Sequence, residues 1–355
     1  MRWLLRIVVL ILVLVVAVPF LIPFPPVGVE AETLADADGF FLEIDGLQTY
    51  VQARGPEDGV PVILLHGWGA STFSWRENLD AIAEAGYRAI AYDRPPYGLA
   101  QKTGDIPYSL SGQADFLASF MTKLGLESAV LVGNSAGGAL AGYFAVRYPD
   151  RVRALVFVDG VPRAPEQPAQ PARGGASSRV SGAMGLPPIV TSLLDFPPFE
   201  RWARLAIRLF ITPEFATRIL VTAYHNPAFL TPAVAEGYQR QLRVVGWDEA
   251  LLAQLKGGAG GFEVLTTEEI ESISVPIMIV WGEQDTWVPI EAADQMRALH
   301  PDAVWRAYPS VGHLPMEENA SGFNADLIAF LAQVFGKEVA PQDSVVIRVP
   351  PEIPI

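Results

Sequence analysis

Short apolar runs rich in β-branched residues alternate with helical stretches from Gly39 onward, and turn residues separate them. This alternation predicts an α/β fold with a mostly parallel sheet that carries helices on both faces. Eight strands are predicted, at residues 40–45, 48–54, 61–65, 88–92, 128–133, 153–158, 276–281 and 303–308. Because residues 129–132 show no polar alternation, we expect that strand to be buried on both faces, near the centre of the sheet.

The alternation is interrupted at residues 162–262, which we interpret as an inserted helical lid. The interruption begins with a stretch rich in Pro, Gly and Ala and ends with a glycine cluster. A mobile entry segment and an ordinary solvated linker explain the first stretch equally well. Helical patterns occupy residues 199–210, 213–224 and 232–245. The predicted organisation is an N-terminal segment at 1–30, a core at 31–161 and 263–336 on either side of the lid, and a tail at 337–355 without an assigned role.

The N-terminal segment has the pattern of a membrane-inserting helix. Residues 7–29 carry no charge, Arg2 and Arg6 precede them, and acidic residues follow. A helix needs about 20 apolar residues to span a bilayer, whereas the run before Pro19 is shorter. Two interpretations therefore stay open: an uncleaved anchor, and a signal peptide cleaved near Ala31 or Ala37. In both, the basic residues stay in the cytoplasm and the globular part lies on the extracytoplasmic side or is exported.

Composition narrows the possible chemistry. The 355 residues include 25 Lys and Arg against 39 Asp and Glu, a net charge of −14. A basic face for phosphate binding is therefore not expected, and nucleic acid is not a predicted partner. The chain has no cysteine, which excludes disulfides, thiolate metal sites, cysteine nucleophiles and a lipidated cysteine.

A nucleophilic serine is predicted at position 135. Gly133-Asn134-Ser135-Ala136-Gly137 directly follows the buried strand and leads into a helix-forming stretch. The GxSxG pattern alone is weak, but between a strand and a helix it is typical of a strained turn that exposes a serine hydroxyl. Strained angles at the serine require small flanking residues, and the glycines meet this requirement.

A serine hydroxyl needs a base, and His313 is the best candidate among four histidines. It follows the last predicted strand, at the sheet edge where open α/β sheets collect ligand groups. His66 is expected to tie its own turn together instead. Asp285, just past a strand end, fits the buried carboxylate that orients the imidazole. Asp159, at an earlier strand end, is the competitor, and Glu283 is disfavoured because it lies closer to its strand.

Two backbone amides are candidates for stabilising an oxyanion. The Ala136 amide opens the helix after the serine, and the Trp68 amide lies on the Gly-flanked turn His66-Gly67-Trp68-Gly69. Removal of one such donor typically costs about 2.7 to 4 kcal/mol of transition-state stabilisation. The sequence therefore predicts Trp68 and Ala136 as the oxyanion hole.

Together these segments resemble the α/β-hydrolase superfamily, particularly its lid-bearing branch of carboxylesterases, cofactor-free haloperoxidases and meta-cleavage product hydrolases. The resemblance covers about residues 38–336 and is carried by HGWG at 66–69, GNSAGG at 133–138, VWGEQDTWVP at 280–289 and GHLPMEE at 312–318. It implies the α/β-hydrolase fold and the chain order serine, aspartate, histidine. One motif differs from the family pattern: Asp93 is followed by Arg94-Pro95-Pro96, where relatives have a Gly-x-Gly-x-Ser turn. We expect this difference to affect substrate access more than the chemistry.

The expected activity is hydrolysis of carboxylic esters of apolar character, with a small-molecule acyl substrate and an acyl-enzyme intermediate. A serine nucleophile excludes the epoxide hydrolases and haloalkane dehalogenases, which need a carboxylate. An asparagine at the position of Asn134 is also found in carbon–carbon bond hydrolases, whose anionic substrates call for a cationic lid residue. Two interpretations of Arg201, Arg204 and Arg208 stay open: one of them is that cationic residue, or all three form a solvated helix face. A perhydrolase and a non-catalytic, membrane-tethered binding protein are further alternatives. No metal or nucleotide motif occurs, so no cofactor is predicted.

Overall fold

The computed structural model describes residues 2–163, 188–256 and 263–336. Most of the Pro-, Gly- and Ala-rich stretch, the glycine cluster at 257–261 and the tail at 337–355 lie outside these ranges. What the sequence predicts for those segments, and for the exact domain boundaries, stays a prediction.

Eight strands form a single sheet, as predicted, and each lies within one residue of its expected position. The strands are β1 Gly39–Ile44, β2 Leu47–Arg54, β3 Pro61–Leu65, β4 Arg88–Tyr92, β5 Ala129–Asn134, β6 Val152–Val158, β7 Ile277–Gly282 and β8 Val304–Tyr308. Their order is β1-β2-β4-β3-β5-β6-β7-β8. β2 pairs antiparallel with β1 and β4, and all other pairs are parallel.

Thirteen α-helices lie in the described part of the chain. They are α1 Arg2–Leu21, α2 Leu79–Glu84, α3 Leu110–Lys123, α4 Ala136–Arg147, α5 Pro188–Leu194, α6 Pro197–Phe210, α7 Pro213–Leu220, α8 Pro232–Gln239, α9 Trp247–Lys256, α10 Thr267–Glu271, α11 Asp294–Leu299, α12 Pro315–Glu318 and α13 Ala320–Phe335. Helices α5 to α9 belong to the insertion between β6 and β7, and α1 precedes the sheet.

The core lies in two apolar layers, one on each face of the sheet. All six residues of β5 are buried, as its lack of polar alternation predicted. Leu131 packs in the layer that contains Phe144 of α4. Val132 points the other way, into the layer that contains Phe323 of α13. Since both faces are covered, polar groups at the centre of the sheet are presented at strand ends, where the loops meet.

The insertion departs from the prediction at its C-terminal half. A single helix over 232–245 is wrong: α8 ends at Gln239, a 3-10 turn follows over Arg240–Arg243, and α9 begins at Trp247. The chain leaves helical geometry at Val244, whose ψ is 136°, and Gly246, with a left-handed φ of +83° that favours glycine, follows just before α9. Similarly, α7 is shorter than the predicted 213–224 because its last turn is a 3-10 helix, Val221–Ala223.

The N-terminal segment forms a helix and then runs across the insertion. Helix α1 is long and apolar enough to cross a membrane, with a mean hydropathy of 3.1 over its most apolar window and 6% of that window buried. It continues through Pro19 to Leu21. Beyond it, the Val29 amide donates to Arg243 O at 2.8 Å, and the Val245 amide donates to Val29 O at 3.0 Å. The segment is thereby joined to the insertion by backbone bonds.

Candidate active site

Ser135 lies at the turn between β5 and α4 in a strained conformation, with φ 53° and ψ −118°. A Cβ on Gly133 would lie 2.3 Å from the Gly137 carbonyl oxygen, and one on Gly137 would lie 2.1 Å from Leu65 O. Both contacts are too close for any side chain, so the flanking glycines are required, as the sequence indicated. Ser135 itself is half-buried and therefore remains accessible.

Asn134 and Gly67 bring two other loops to the serine. The Asn134 Nδ2 donates to the carbonyl oxygens of Val158 and His313, each at 3.2 Å. A Cβ on Gly67 would lie 3.3 Å from Ser135 Cβ. The His313 loop and the turn at 66–69 are thus both adjacent to the Ser135 turn.

His313 and Asp285 form a buried pair. The His313 Nδ1 lies 2.7 Å from Asp285 Oδ2, and the two side chains are 3% and 0% exposed. The other carboxylate oxygen accepts the amides of Trp287 at 2.7 Å and Val288 at 3.0 Å. A carboxylate oxygen accepts such a bond from a ring N–H, so this contact fits the tautomer with the ring proton on Nδ1.

Asp159, the competing acid, lies beside this pair without replacing it. It is fully buried after β6, and its Oδ1 accepts the Gly282 amide at 2.9 Å. Burial, followed by the neighbouring Asp285 carboxylate, raises the pKa of Asp159 well above its usual value. Glu283 is exposed, and no bond joins it to the histidine among the described residues. The structure therefore brings Asp285, not Asp159 or Glu283, into contact with His313.

The same three side chains are the one group in the described ranges that is compact enough for a metal ion. Ligand atoms of Asp159, Asp285 and His313 lie within 4.8 Å of one another. The His313 Nδ1 and Asp285 Oδ2 are, however, already bonded to each other. A metal at this place would have to break that hydrogen bond.

The two predicted oxyanion donors flank Ser135. Ala136 begins α4, and Trp68 follows Gly67, whose Cα faces Ser135. Over residues 2–163, 188–256 and 263–336, neither the Trp68 nor the Ala136 amide donates a hydrogen bond to the protein. Both amides therefore have the free N–H that an oxyanion donor needs.

His66 stabilises the turn at 66–69, as expected. Its Nδ1 lies 2.8 Å from Gly67 O, and its Nε2 accepts the Arg94 amide at 3.1 Å. Burial, together with the Arg94 charge, lowers the pKa of His66 well below its usual value. A histidine held neutral with both ring nitrogens bonded to backbone is not available as a base. His300 is distant from the site and contacts Ile270 O at 3.0 Å.

The loop after Asp93, where the motif departs from its relatives, is held by buried charges. Asp93 accepts the amides of Thr72 and Leu99, each at 2.6 Å. Lys102 donates to Pro96 O at 2.8 Å and Gly98 O at 2.5 Å. Burial lowers the pKa of Lys102 to about 7, against the effect of Asp93. Sequence reasoning missed Lys102, although the altered motif marked its loop.

Two glutamates after His313 join the insertion to the core, and sequence reasoning missed both. Glu317, with its side chain 1% exposed, pairs with Arg76 at 2.7 Å and accepts the hydroxyls of Tyr224 and Tyr238. Glu318 accepts the amides of Gly312, at 2.6 Å, and of two insertion residues, at 3.1 and 2.9 Å. The sequence signal for these contacts is the acidic pair at the end of GHLPMEE, at positions 317 and 318.

The three arginines of α6 follow neither interpretation made from the sequence. Arg204 and Arg208 pair with the buried Asp248 of α9, at 2.9 and 3.0 Å. Their guanidinium groups and that of Arg201 lie over the Phe24 ring, 3.7 to 5.0 Å from its centroid. They are therefore neither a free solvated face nor free cations at the site.

Comparison with known proteins gives consistent matches. The family model for the alpha/beta hydrolase fold matches residues 60–320. A 2-hydroxy-6-oxononadienedioate/2-hydroxy-6-oxononatrienedioate hydrolase from a Pseudomonas species is 28% identical, over 82% of this chain and 94% of its own. A bifunctional esterase/perhydrolase from Acinetobacter calcoaceticus is 25% identical, over 82% and 99%. A bacterial membrane phospholipase A of known structure superimposes with a TM-score of 0.64 at 22% identity, over 95% and 99%.

Proposed function

The chain belongs to the alpha/beta hydrolase fold family, and from this premise we propose that it is a serine hydrolase of carboxylic esters with apolar character. The observation that carries the proposal is the 2.7 Å bond between His313 and Asp285 on loops adjacent to a strained serine. Nucleophile, base and orienting acid are the parts that acyl transfer to water requires.

The proposed mechanism has two steps. The Ser135 oxygen attacks the ester carbonyl while His313 Nε2 takes its proton, and the resulting imidazolium returns that proton to the leaving alcohol. Water then attacks the acyl-enzyme with the same histidine as base, and Ser135 regains its proton as the acid product leaves. Asp285 holds the imidazole by Nδ1 and stabilises its positive charge. The Trp68 and Ala136 amides hold the oxyanion in both steps.

A fluorophosphonate probe and p-nitrophenyl butyrate test the proposal together. The wild-type chain should react with the probe, and Ser135→Ala should lose labelling and at least about 10³-fold in kcat/KM. Ser321→Ala, on an exposed position of α13, is the matched control and should behave as wild type. Labelled or active Ser135→Ala protein would rule out this nucleophile, and an unlabelled wild type would favour a non-catalytic binding protein.

A second candidate, carbon–carbon bond hydrolysis, is favoured by the Pseudomonas relative, which is named as a hydrolase of a dioic acid. Its catalytic groups would be the same. Against it, Arg204 and Arg208 are bound to Asp248, and Arg201 donates to two carbonyl oxygens of the N-terminal segment. Helix α6 therefore has no uncommitted arginine for a substrate carboxylate. The Acinetobacter relative extends the alternatives to perhydrolysis. Product analysis with a vinylogous diketo acid, a simple ester, and an ester plus hydrogen peroxide separates the three.

We also propose that the N-terminal segment is an uncleaved anchor, with the catalytic domain on the extracytoplasmic side. Arg2 and Arg6 precede the apolar run, which favours a cytoplasmic N-terminus. A Cβ on Gly28 would lie 2.5 Å from Arg243 O, so this residue packs directly on the insertion. Cleavage near Ala31 or Ala37 would discard this contact. Mass spectrometry of the membrane-extracted protein tests the proposal, since a chain that begins after residue 30 would contradict it.

A further inference from the structure

The exposed apolar side chains of the folded domain are concentrated on the insertion. After residue 29, nine large hydrophobic side chains are exposed in the described ranges, and seven of them belong to the insertion. Leu193 and Phe196, each 51% exposed, precede α6, and Leu209 and Phe210, 68% and 66% exposed, end it. Phe215 and Ile219 lie on α7, and Phe229 lies on the 3-10 turn Pro227–Phe229. Such a concentration on one element marks an interaction surface.

Helix α6 is bonded directly to the apolar helix α1. The Trp202 Nε1 donates to Val15 O at 2.9 Å. Val15 lies six residues before the end of α1, which corresponds to about 9 Å along a helix. The first turns of α6 therefore lie beside the apolar part of α1, not beyond its end.

Polar contacts continue this interface toward the domain. Arg201 donates to the carbonyl oxygens of Pro19 and of Ile22, the latter at 2.9 Å. Arg208 donates to Pro25 O at 2.9 Å. Any membrane that α1 crosses must therefore lie against the start of α6, where Phe196 is exposed. The exposed apolar surface is continuous with α1, and we therefore take the membrane that α1 crosses as its occupant.

We propose that Leu193, Phe196, Leu209 and Phe210 enter the leaflet that α1 leaves, so that the insertion lies on the bilayer and the substrate is an acyl ester of a membrane lipid. The substrate class rests on the proposed function, whereas the docking surface does not. The same insertion bonds to the segment around His313: the amides of His225 and Asn226 donate to Glu318, and the His313 amide donates to Ala223 O at 2.7 Å. An acyl chain that leaves the bilayer at the insertion is thus delivered beside His313.

The absence of cysteine allows a direct test of the docking surface. Single variants Phe196→Cys, Phe210→Cys and, as a control on β1, Phe40→Cys are labelled with a nitroxide in the full-length chain. The chains are reconstituted in vesicles of phosphatidylethanolamine and phosphatidylglycerol. Labels at 196 and 210 should be more accessible to oxygen than to a water-soluble nickel chelate, and the label at 40 should show the opposite.

Two results would overturn the docking surface. Labels at 196 and 210 that are as accessible to nickel as the label at 40 would place the surface in water. Labels shielded from both reagents, with spin–spin broadening, would identify a second copy of the chain as the occupant. Neither readout depends on activity, so a failure of the proposed function would not obscure the result.

Activity on two ester substrates tests the substrate class. In the full-length protein, Phe196→Asp combined with Phe210→Asp should slow hydrolysis of phosphatidylglycerol in vesicles about tenfold. The chain stays anchored by α1, but the contact of the insertion with the bilayer weakens because it scales with buried apolar area. The same double variant should cleave p-nitrophenyl butyrate in detergent at nearly the wild-type rate, and Phe40→Asp should change neither. Equal loss on both substrates, or none on the lipid, would refute the lipid assignment. A wild type inactive on both would instead refute the proposed function.

Discussion

Two regions of the molecule are held by different kinds of interaction. One is the edge that we propose to be catalytic, formed by the loops that carry Ser135, Asp285 and His313 and called the catalytic edge below; the other is the insertion of α5 to α9. At the catalytic edge, backbone conformation and close backbone contacts dominate: Ser135 has a positive φ, and Gly133 and Gly137 admit no Cβ. The insertion instead depends on two buried carboxylates, Glu317 and Asp248, which form ion pairs and accept hydrogen bonds from residues distant in sequence.

This difference determines what each region tolerates. A strained turn accepts very few residue types, but it stays in place when side chains elsewhere change. A buried carboxylate is stabilised by its partners, and loss of one member leaves uncompensated charge. Substitutions at the catalytic edge should therefore affect rate more than stability, and those at the junction between insertion and core should do the reverse.

The largest effect is expected for Asp285→Asn. An amide in place of the acceptor oxygen no longer stabilises the imidazolium and favours the wrong tautomer of His313, so kcat should fall about 10³- to 10⁴-fold. Stopped-flow or steady-state hydrolysis of p-nitrophenyl butyrate measures it. Asp159→Asn is the matched control, since the competing carboxyl makes no bond to the imidazole, and it should retain at least about a tenth of the activity. A greater loss in Asp159→Asn than in Asp285→Asn would reverse the assignment of the acid.

Glu317→Gln should have the second largest effect, on stability. Glutamine cannot balance the Arg76 charge, and its amide group opposes the tyrosine hydroxyls, so the variant should lose about 3 to 5 kcal/mol of unfolding free energy. Urea unfolding, followed by near-ultraviolet circular dichroism, measures the change. The exposed Glu236, paired with Arg243 at 3.8 Å, provides the control: Glu236→Gln should cost less than about 0.5 kcal/mol. Similar losses in both variants would contradict a special role of Glu317.

The same contrast explains which features the sequence predicted. The strands and the Gly133–Gly137 turn follow from local patterns, because strand burial and a strained turn restrict residue types at consecutive positions. The pairing of Asp285 with His313 was predicted from their places at strand ends. Lys102, Glu317 and the packing of residues 15–25 on α6 were missed, because each depends on partners far apart in sequence. A local sequence pattern contains no information about contacts between residues that are far apart in the chain.

The substitution Asp159→Asn should increase the unfolding free energy relative to the wild type, and more so at high pH than at low pH. The raised pKa favours the protonated form of Asp159 in the folded state, whereas in the unfolded chain the group ionises near its usual value of about 3.8. The folded state therefore loses relative stability as pH increases above that value, until its own pKa is passed. Asparagine removes this loss, so the stability of the variant relative to the wild type should be greater at pH 8 than at pH 4. Thermal melts at the two pH values measure it, and a variant whose advantage does not grow with pH would contradict a protonated Asp159.

The smallest effects expected are those of two helix caps, one in each region. Ser109 accepts the Gly112 amide at 3.0 Å and caps α3, whose inner face is buried against the sheet. Thr231 accepts the Val234 amide at 3.3 Å and caps α8 in the insertion. Each alanine variant should lose about 1 kcal/mol. If the insertion opens separately from the core, Ser109→Ala should lower global stability, whereas Thr231→Ala should mainly raise amide hydrogen exchange within α8. Equal global losses would indicate that insertion and core unfold as one unit, with Glu317 as the reason.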